Sequence, residues 1–288
     1  MRYSRREFGL LLSSGLALPS YAGGLQRTRR SRRIPVAVES WSVRELLGQE
    51  PEKTLAEIAK MGYEGIELAH YYNWEKLTAD RVRKALDASG LKCCSSHINL
   101  KVIEDDELPR TLDYHRTIGN SVLIIASLPP QKTVAGWIDL AKRVEERAAK
   151  LAEHGFRLGY HNHPGDFRPV EGPIPWEIFF KNTSSRVLHQ IDVGNMLKEH
   201  WDPRPYIRMF AGRTQSIHVK DRDANYEPVV VGEGTLPWRD ILDLCETVGG
   251  TEWYIIEYES KDLPPMEAIR RCLSGFRRIL QTRQAASA

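Results

Sequence analysis

The sequence predicts an α/β fold, a single (β/α)8 TIM barrel, and three observations carry that prediction. From Ile34 onward, short apolar runs alternate with amphipathic stretches eight times, within the about 250 residues typical of that fold. The runs are almost continuously apolar, as strands covered on both faces must be. Ionisable residues gather where the runs end. A doubly wound sheet is built from the same units, but no GxGxxG follows the first run and no Walker motif is present.

In chain order the predicted strands are Pro35–Glu39, Gly65–Ala69, Lys92–His97, Val122–Ser127, Arg157–His161, Val187–Asp192, Ser216–Val219 and Trp253–Glu257. A helical stretch follows each. Thr54–Met61 sets Leu55, Ile58, Ala59 and Met61 at helical spacing, and Gly62 supplies a stop. Val134–His154 is the longest predicted helix and ends at Gly155. Met266–Leu280 closes the chain with Ile269, Leu273, Phe276 and Leu280 on one face. No short-period repeat and no composition break divides residues 34–288, which predicts one domain.

With 41% hydrophobic and 27% charged residues in 288, the chain is globular in composition. Its net charge of +3 is unevenly placed. Eight arginines against Glu7 alone give residues 1–33 a charge of +7, leaving −4 on residues 34–288. The barrel is therefore mildly acidic, which argues against a nucleic-acid partner. Residues 1–22 read as a twin-arginine signal peptide: Ser4-Arg5-Arg6-Glu7-Phe8, an apolar run from Gly9 to Leu18, then Ser20-Tyr21-Ala22. Residues 23–33 read as a basic linker. The apolar run falls short of the ~20 residues of a membrane span, so no stable anchor is expected. The expected location is the periplasm or the exterior, reached in the folded state through the twin-arginine export machinery. Cys93, Cys94, Cys245 and Cys272 show neither regular spacing nor a CxxC pair, which predicts buried thiols.

Active sites of this fold lie at the C-terminal ends of the strands. Those ends carry Glu39, Glu67, His97, Ser127, His161 with His163, Asp192, His218 with Lys220, and Glu257 with Glu259. Three histidines and several carboxylates converging on one mouth make a mixed nitrogen and oxygen donor set, suited to Mn, Co, Zn or Fe.

At these residues the chain resembles the xylose isomerase-like barrels, the sugar phosphate isomerase/epimerase superfamily, and in particular the branch containing inosose dehydratase and exported members. The matching segments are Gly62-Tyr63-Glu64-Gly65-Ile66-Glu67, Ser96-His97, Gly159-Tyr160-His161-Asn162-His163 and Gln190-Ile191-Asp192-Val193-Gly194-Asn195. Ile217-His218-Val219-Lys220-Asp221, Gly232-Glu233-Gly234-Thr235 and Ile255-Ile256-Glu257 complete the set. The resemblance implies one divalent ion (Mn, Co, Zn, Fe or Mg) on Asp192, His218 and Glu257, with His161 where the epimerases have a glutamate. It implies an isomerase or epimerase of a keto-sugar or cyclitol working through an enediolate. The alternatives are a lyase or dehydratase acting by β-elimination and a non-catalytic sugar-binding barrel.

Against that background Glu67 is expected to act as a general base or hold a substrate hydroxyl, with a salt bridge as the structural alternative. His97 is expected to contact substrate or relay a proton. Lys220 is expected to stabilise an enediolate oxygen, unless Lys220-Asp221 is a surface ion pair. His163, Asn195, Tyr72 (with Tyr71 and Trp74) and Trp238 are expected to line the substrate site, and Asp166 stands where related exported proteins have a glutamate. Apurinic endonucleases of the superfamily carry a three-metal cluster, but Asn195 stands where they have a metal-binding histidine. Related barrels are often dimers, so a homodimer is an open expectation.

The export reading has a direct test. Arg5→Lys with Arg6→Lys should retain the protein in the cytoplasm, and an unchanged periplasmic yield on fractionation would remove that reading.

Overall fold

A computed structural model describes residues 33–69 and 77–285. The predicted signal peptide, nearly all of the linker, and Tyr72 with Tyr71 and Trp74 lie outside those residues.

Eight parallel strands close into a barrel: β1 (Val36–Glu39), β2 (Gly65–Ala69), β3 (Lys92–Ile98), β4 (Val122–Ile125), β5 (Arg157–His161), β6 (Val187–Asp192), β7 (Thr214–Val219) and β8 (Trp253–Ile256). They pair in sequence order, and β1 closes the ring by pairing with both β2 and β8. Helices follow the strands as expected, with small differences at their ends. The first long helix starts at Pro51 rather than Thr54, because proline suits the first helical turn, and ends at Gly62 with φ +93°. The last runs on to Ala285. β4 stops at Ile125, so Ser127 is outside the strand, and Glu257 lies one residue beyond β8. A two-stranded hairpin unseen in the sequence pairs Asp221–Arg222 with Pro228–Val229.

The core lies mostly outside the barrel wall. Helix Val134–Glu153 buries Trp137, Leu140, Ala141, Val144, Ala148 and Leu151, a stripe at three- and four-residue spacing, while Thr133 caps its start by accepting from Gly136 N–H at 3.1 Å. Each such large apolar side chain stabilises by about 1.5–3 kcal/mol on burial. The lumen holds only small apolar clusters, Ala37 with Cys94 and Ile255, and Val122 with Ile124 and Leu188. Gly159 is needed there: a Cβ would stand 2.6 Å from Ile124 Cδ1 and 3.1 Å from the Leu188 carbonyl. Above these clusters the lumen turns polar, and that layer carries the candidate site. All four cysteines are free thiols; Cys94, Cys245 and Cys272 are buried as expected, while Cys93 is half-buried. No helix among the described residues is long and apolar enough to cross a membrane.

His189 of β6 is an exception to the apolar outer core. It is fully buried beneath Phe180, Phe210 and Trp176, with ring centroids 3.7, 4.8 and 5.5 Å away, and neither ring nitrogen has a hydrogen-bond partner. Burial, with the Arg213 charge nearby, holds its pKa well below the ordinary 6.5. The folded state therefore resists protonation, so His189 costs nothing above pH 6.5 and costs stability as pH falls below it, by about 1.4 kcal/mol per unit. Thermal melting between pH 7.5 and pH 5.5 should fall by a few degrees less in His189→Leu than in the parent; parallel curves would contradict this account.

Candidate metal centre

Parallel register brings the strand ends level, with Glu39 opposite Glu67 and Asp192 opposite His218. Side chains at alternate positions then enter the lumen in two tiers. The lower tier is Ser95, Glu67, Gln190 and Ser216. Glu67 Oε2 accepts from Ser95 Oγ at 2.5 Å and from Gln190 Nε2 at 2.6 Å, and Gln190 also reaches Ser216 Oγ at 3.1 Å. The upper tier is His97, His161, Asp192, His218 and Glu257. The His161 and His218 rings lie 4.5 Å apart, and His97 stacks on His218 at 5.4 Å.

Glu67 joins the tiers. Its Oε1 meets His218 Nε2 at 2.6 Å and His97 Nε2 at 3.2 Å. Both oxygens are thus engaged and the residue is fully buried, which is the ion-paired alternative to a general base. Glu67 positions other groups. Burial opposes its charge, but His97 and His218 hold it well below the usual carboxylate range. By holding His218 Nε2 it turns Nδ1 toward Glu257 Oε2 at 2.9 Å and Asp192 Oδ2 at 4.0 Å. A carboxylate behind a histidine in this way sets both the tautomer and the direction of a metal ligand.

The predicted ligands converge. Asp192 Oδ1 caps the next helix, accepting from Asn195 N–H at 2.8 Å, while Oδ2 has no hydrogen bond and lies 3.8 Å from His161 Nε2. His161 Nδ1 also lacks a partner. Burial, then the positive groups around it, hold His161 well below 6.5, so it is the neutral imidazole that binds metals. Two donors each about 2.1 Å from one ion at tetrahedral or octahedral angles stand roughly 3.0–3.4 Å apart. The donor separations of 2.9–4.0 Å bracket that range. Asp192, His218 and Glu257 form one tight donor group and His97, His161 and His218 another. The donor chemistry and these separations fit a divalent ion on His161, Asp192, His218 and Glu257.

Lys220 is buried, not on the surface. Its Nζ lies 3.1 Å from Asp192 Oδ2, 3.2 Å from Glu257 Oε2 and 2.5 Å from Glu259 Oε2. Burial disfavours the ammonium, yet the three carboxylates raise its pKa well above the ordinary lysine value. The neighbouring Asp221 turns away, accepting from Gly232 N–H at 2.8 Å and Trp238 Nε1 at 2.9 Å. Trp238 is consequently a buried brace for its loop, set edge-on to Phe276. Asn195 donates Nδ2 to the Asn162 carbonyl at 3.1 Å, and Asn162 in turn holds both backbone groups of Asp192. In this position Asn195 clamps the ligand strand. Asp166 accepts from Tyr160 at 2.8 Å and from His163 N–H at 2.7 Å, with its pKa pushed up by burial to about 6. His163 is exposed at the mouth, edge-on to His161 at 5.0 Å.

His97 lies at the edge of the cluster, with Nε2 2.6 Å from Gln190 Oε1. Burial alone would lower its pKa, but the Glu67 charge beside it holds it above 6.5. Two groups had no assigned role. Gln190 lay unread inside a strand. Glu39 is buried, accepts from Trp41 N–H on one oxygen and has no partner on the other. Burial and the nearby Glu257 raise its pKa to about 8, so it is a neutral acid at pH 7.

The profile of the xylose isomerase-like TIM barrel matches residues 55–279. The chain belongs to that family. Two curated relatives are distant: the rhizopine catabolism protein MocC of Rhizobium meliloti is 25% identical over 78% of this chain and 80% of its own. Inosose dehydratase of Geobacillus kaustophilus is 23% identical over 68% of this chain and 71% of its own. A solved sugar phosphate isomerase/epimerase from Parabacteroides distasonis shares the fold, with a TM-score of 0.73, 20% identity, and coverage of 84% of this chain and 97% of that one. Proteins similar to this chain include isomerases, epimerases and dehydratases.

Metal titration against a chromogenic chelator tests the assignment. Glu67→Gln should weaken binding about 10–100-fold, as loss of a group behind a ligand does, and Asp192→Ala should abolish it. Unchanged affinity in Glu67→Gln would show that His218 needs no positioning.

Proposed function

We propose that this barrel is a divalent-metal-dependent isomerase or epimerase of a phosphate-free keto-sugar or cyclitol, working through an enediolate. The carrying observation is the convergence of His161, Asp192, His218 and Glu257 at the strand ends, with donor atoms 2.9–4.0 Å apart. A divalent ion at these residues would polarise a carbonyl and lower the cost of removing the adjacent proton. The protein's own groups supply the rest. His97, held by Gln190 and Glu67, can carry a proton at the mouth, and His163 stands exposed beside it for the substrate. Glu39 holds a proton near neutral pH. Lys220 adds a buried positive charge beside Asp192 and Glu257, which would offset negative charge developing on an enediolate held there.

Charge favours an uncharged substrate. Lys220, the buried lysine of this cluster, is already engaged by Asp192, Glu257 and Glu259, which leaves it poorly placed for a phosphate. A periplasmic location, as residues 1–22 predict, agrees with that choice.

One observation favours elimination as the second reading. Neutral His161 occupies the strand-five position, so the site lacks a symmetric pair of carboxylate bases, and inosose dehydratase is among the relatives. Both reactions begin by removing the same α-proton, so one experiment separates them. In deuterated buffer with Mn2+, Co2+ or Zn2+, NMR of a panel of ketoses and inososes should show α-deuteration that a chelator stops. Accumulation of an epimer or aldose supports isomerization, and loss of water supports the dehydratase. Bound metal without exchange on any member of the panel would leave a sugar-binding barrel and defeat the enzyme reading.

A further inference from the structure

Lys220 touches the same two oxygens that a metal would use. Asp192 Oδ2 and Glu257 Oε2, the atoms turned toward His218 Nδ1, lie 3.1 and 3.2 Å from its Nζ. An ammonium and a dication on these same oxygens in a buried site repel each other with little screening, so each weakens the other's hold. We propose that Lys220 is a built-in counter-ion that competes with the divalent cation, and that Glu259 is the carboxylate that receives the ammonium when the cation enters. This rests on the metal-centre reading and adds to it a control on metal affinity.

The geometry supports an exchange at the tip of the side chain alone. Gly194 lies against the Lys220 stem, where a Cβ would come within 2.6 Å of Lys220 Cβ, so the stem is held close. Of the three carboxylates around Nζ, only Glu259 is outside the ligand set, and its side chain is 43% exposed against 0% for Asp192 and 7% for Glu257. It also makes the shortest of the three contacts, at 2.5 Å. A small swing therefore frees both ligand oxygens while the ammonium keeps an anionic partner.

The test is calorimetric titration of the folded full chain with Zn2+ and, separately, Mn2+. Lys220→Met should bind at least about tenfold more tightly than the parent, since a fixed like charge has gone. Glu259→Gln should bind several-fold more weakly in the parent but be neutral in the Lys220→Met background, a non-additivity expected only if the two act as a unit. Equal or weaker binding by Lys220→Met, with the parent still binding, would overturn the competition and leave the metal centre standing. So would a Glu259→Gln effect of the same size in both backgrounds. No binding by either protein would instead remove the metal centre and this inference with it. Lys220→Gln, also uncharged, replaces Lys220→Met if the latter does not fold.

Discussion

The contact between Glu67 and His218 organises the upper half of this barrel. It places a carboxylate from β2 against an imidazole from β7, across the lumen, at 2.6 Å. Neither group reaches solvent, so each depends on the other for its charge or its proton. The direction of His218 Nδ1 follows from it, and so does the separation between that nitrogen and the carboxylates of Asp192 and Glu257. Ser95, Gln190 and His97 saturate the rest of Glu67, which makes the lower tier a rigid floor.

That floor explains how an apolar barrel tolerates so many ionisable groups at one end. The stabilising apolar surface lies mainly between strands and helices, in one large cluster, and the lumen contributes little. The polar lumen is therefore free to serve a site. Its negative groups are balanced by His97, His218 and Lys220, and Glu39 is balanced by staying protonated. His161 is the neutral donor in an otherwise charged ring, which suits a ligand better than a base.

Much of this was legible in the sequence. All eight strands lie where the apolar runs predict, and the strand ends name every member of the upper tier. The period of two also carried a signal that the strand ends alone did not: Gln190 stands two before Asp192, Ser95 two before His97 and Ser216 two before His218, so all face the lumen. The roles of Glu67, Asn195 and Trp238 were not legible. Each depends on a partner distant in sequence, such as His218 for Glu67, and spacing says nothing about such a partner. The same limit hid His189, whose outward face is set by strand parity but whose aromatic cover comes from helices that pack only in three dimensions.

X-ray absorption at the metal edge tests the central claim most directly, on protein loaded with one equivalent of Zn2+ or Co2+. The account predicts a first shell of carboxylate oxygen together with imidazole nitrogen, the latter identified by the multiple scattering of two histidine rings. A shell of oxygen alone, or one containing sulfur, would contradict a centre built from His161, Asp192, His218 and Glu257.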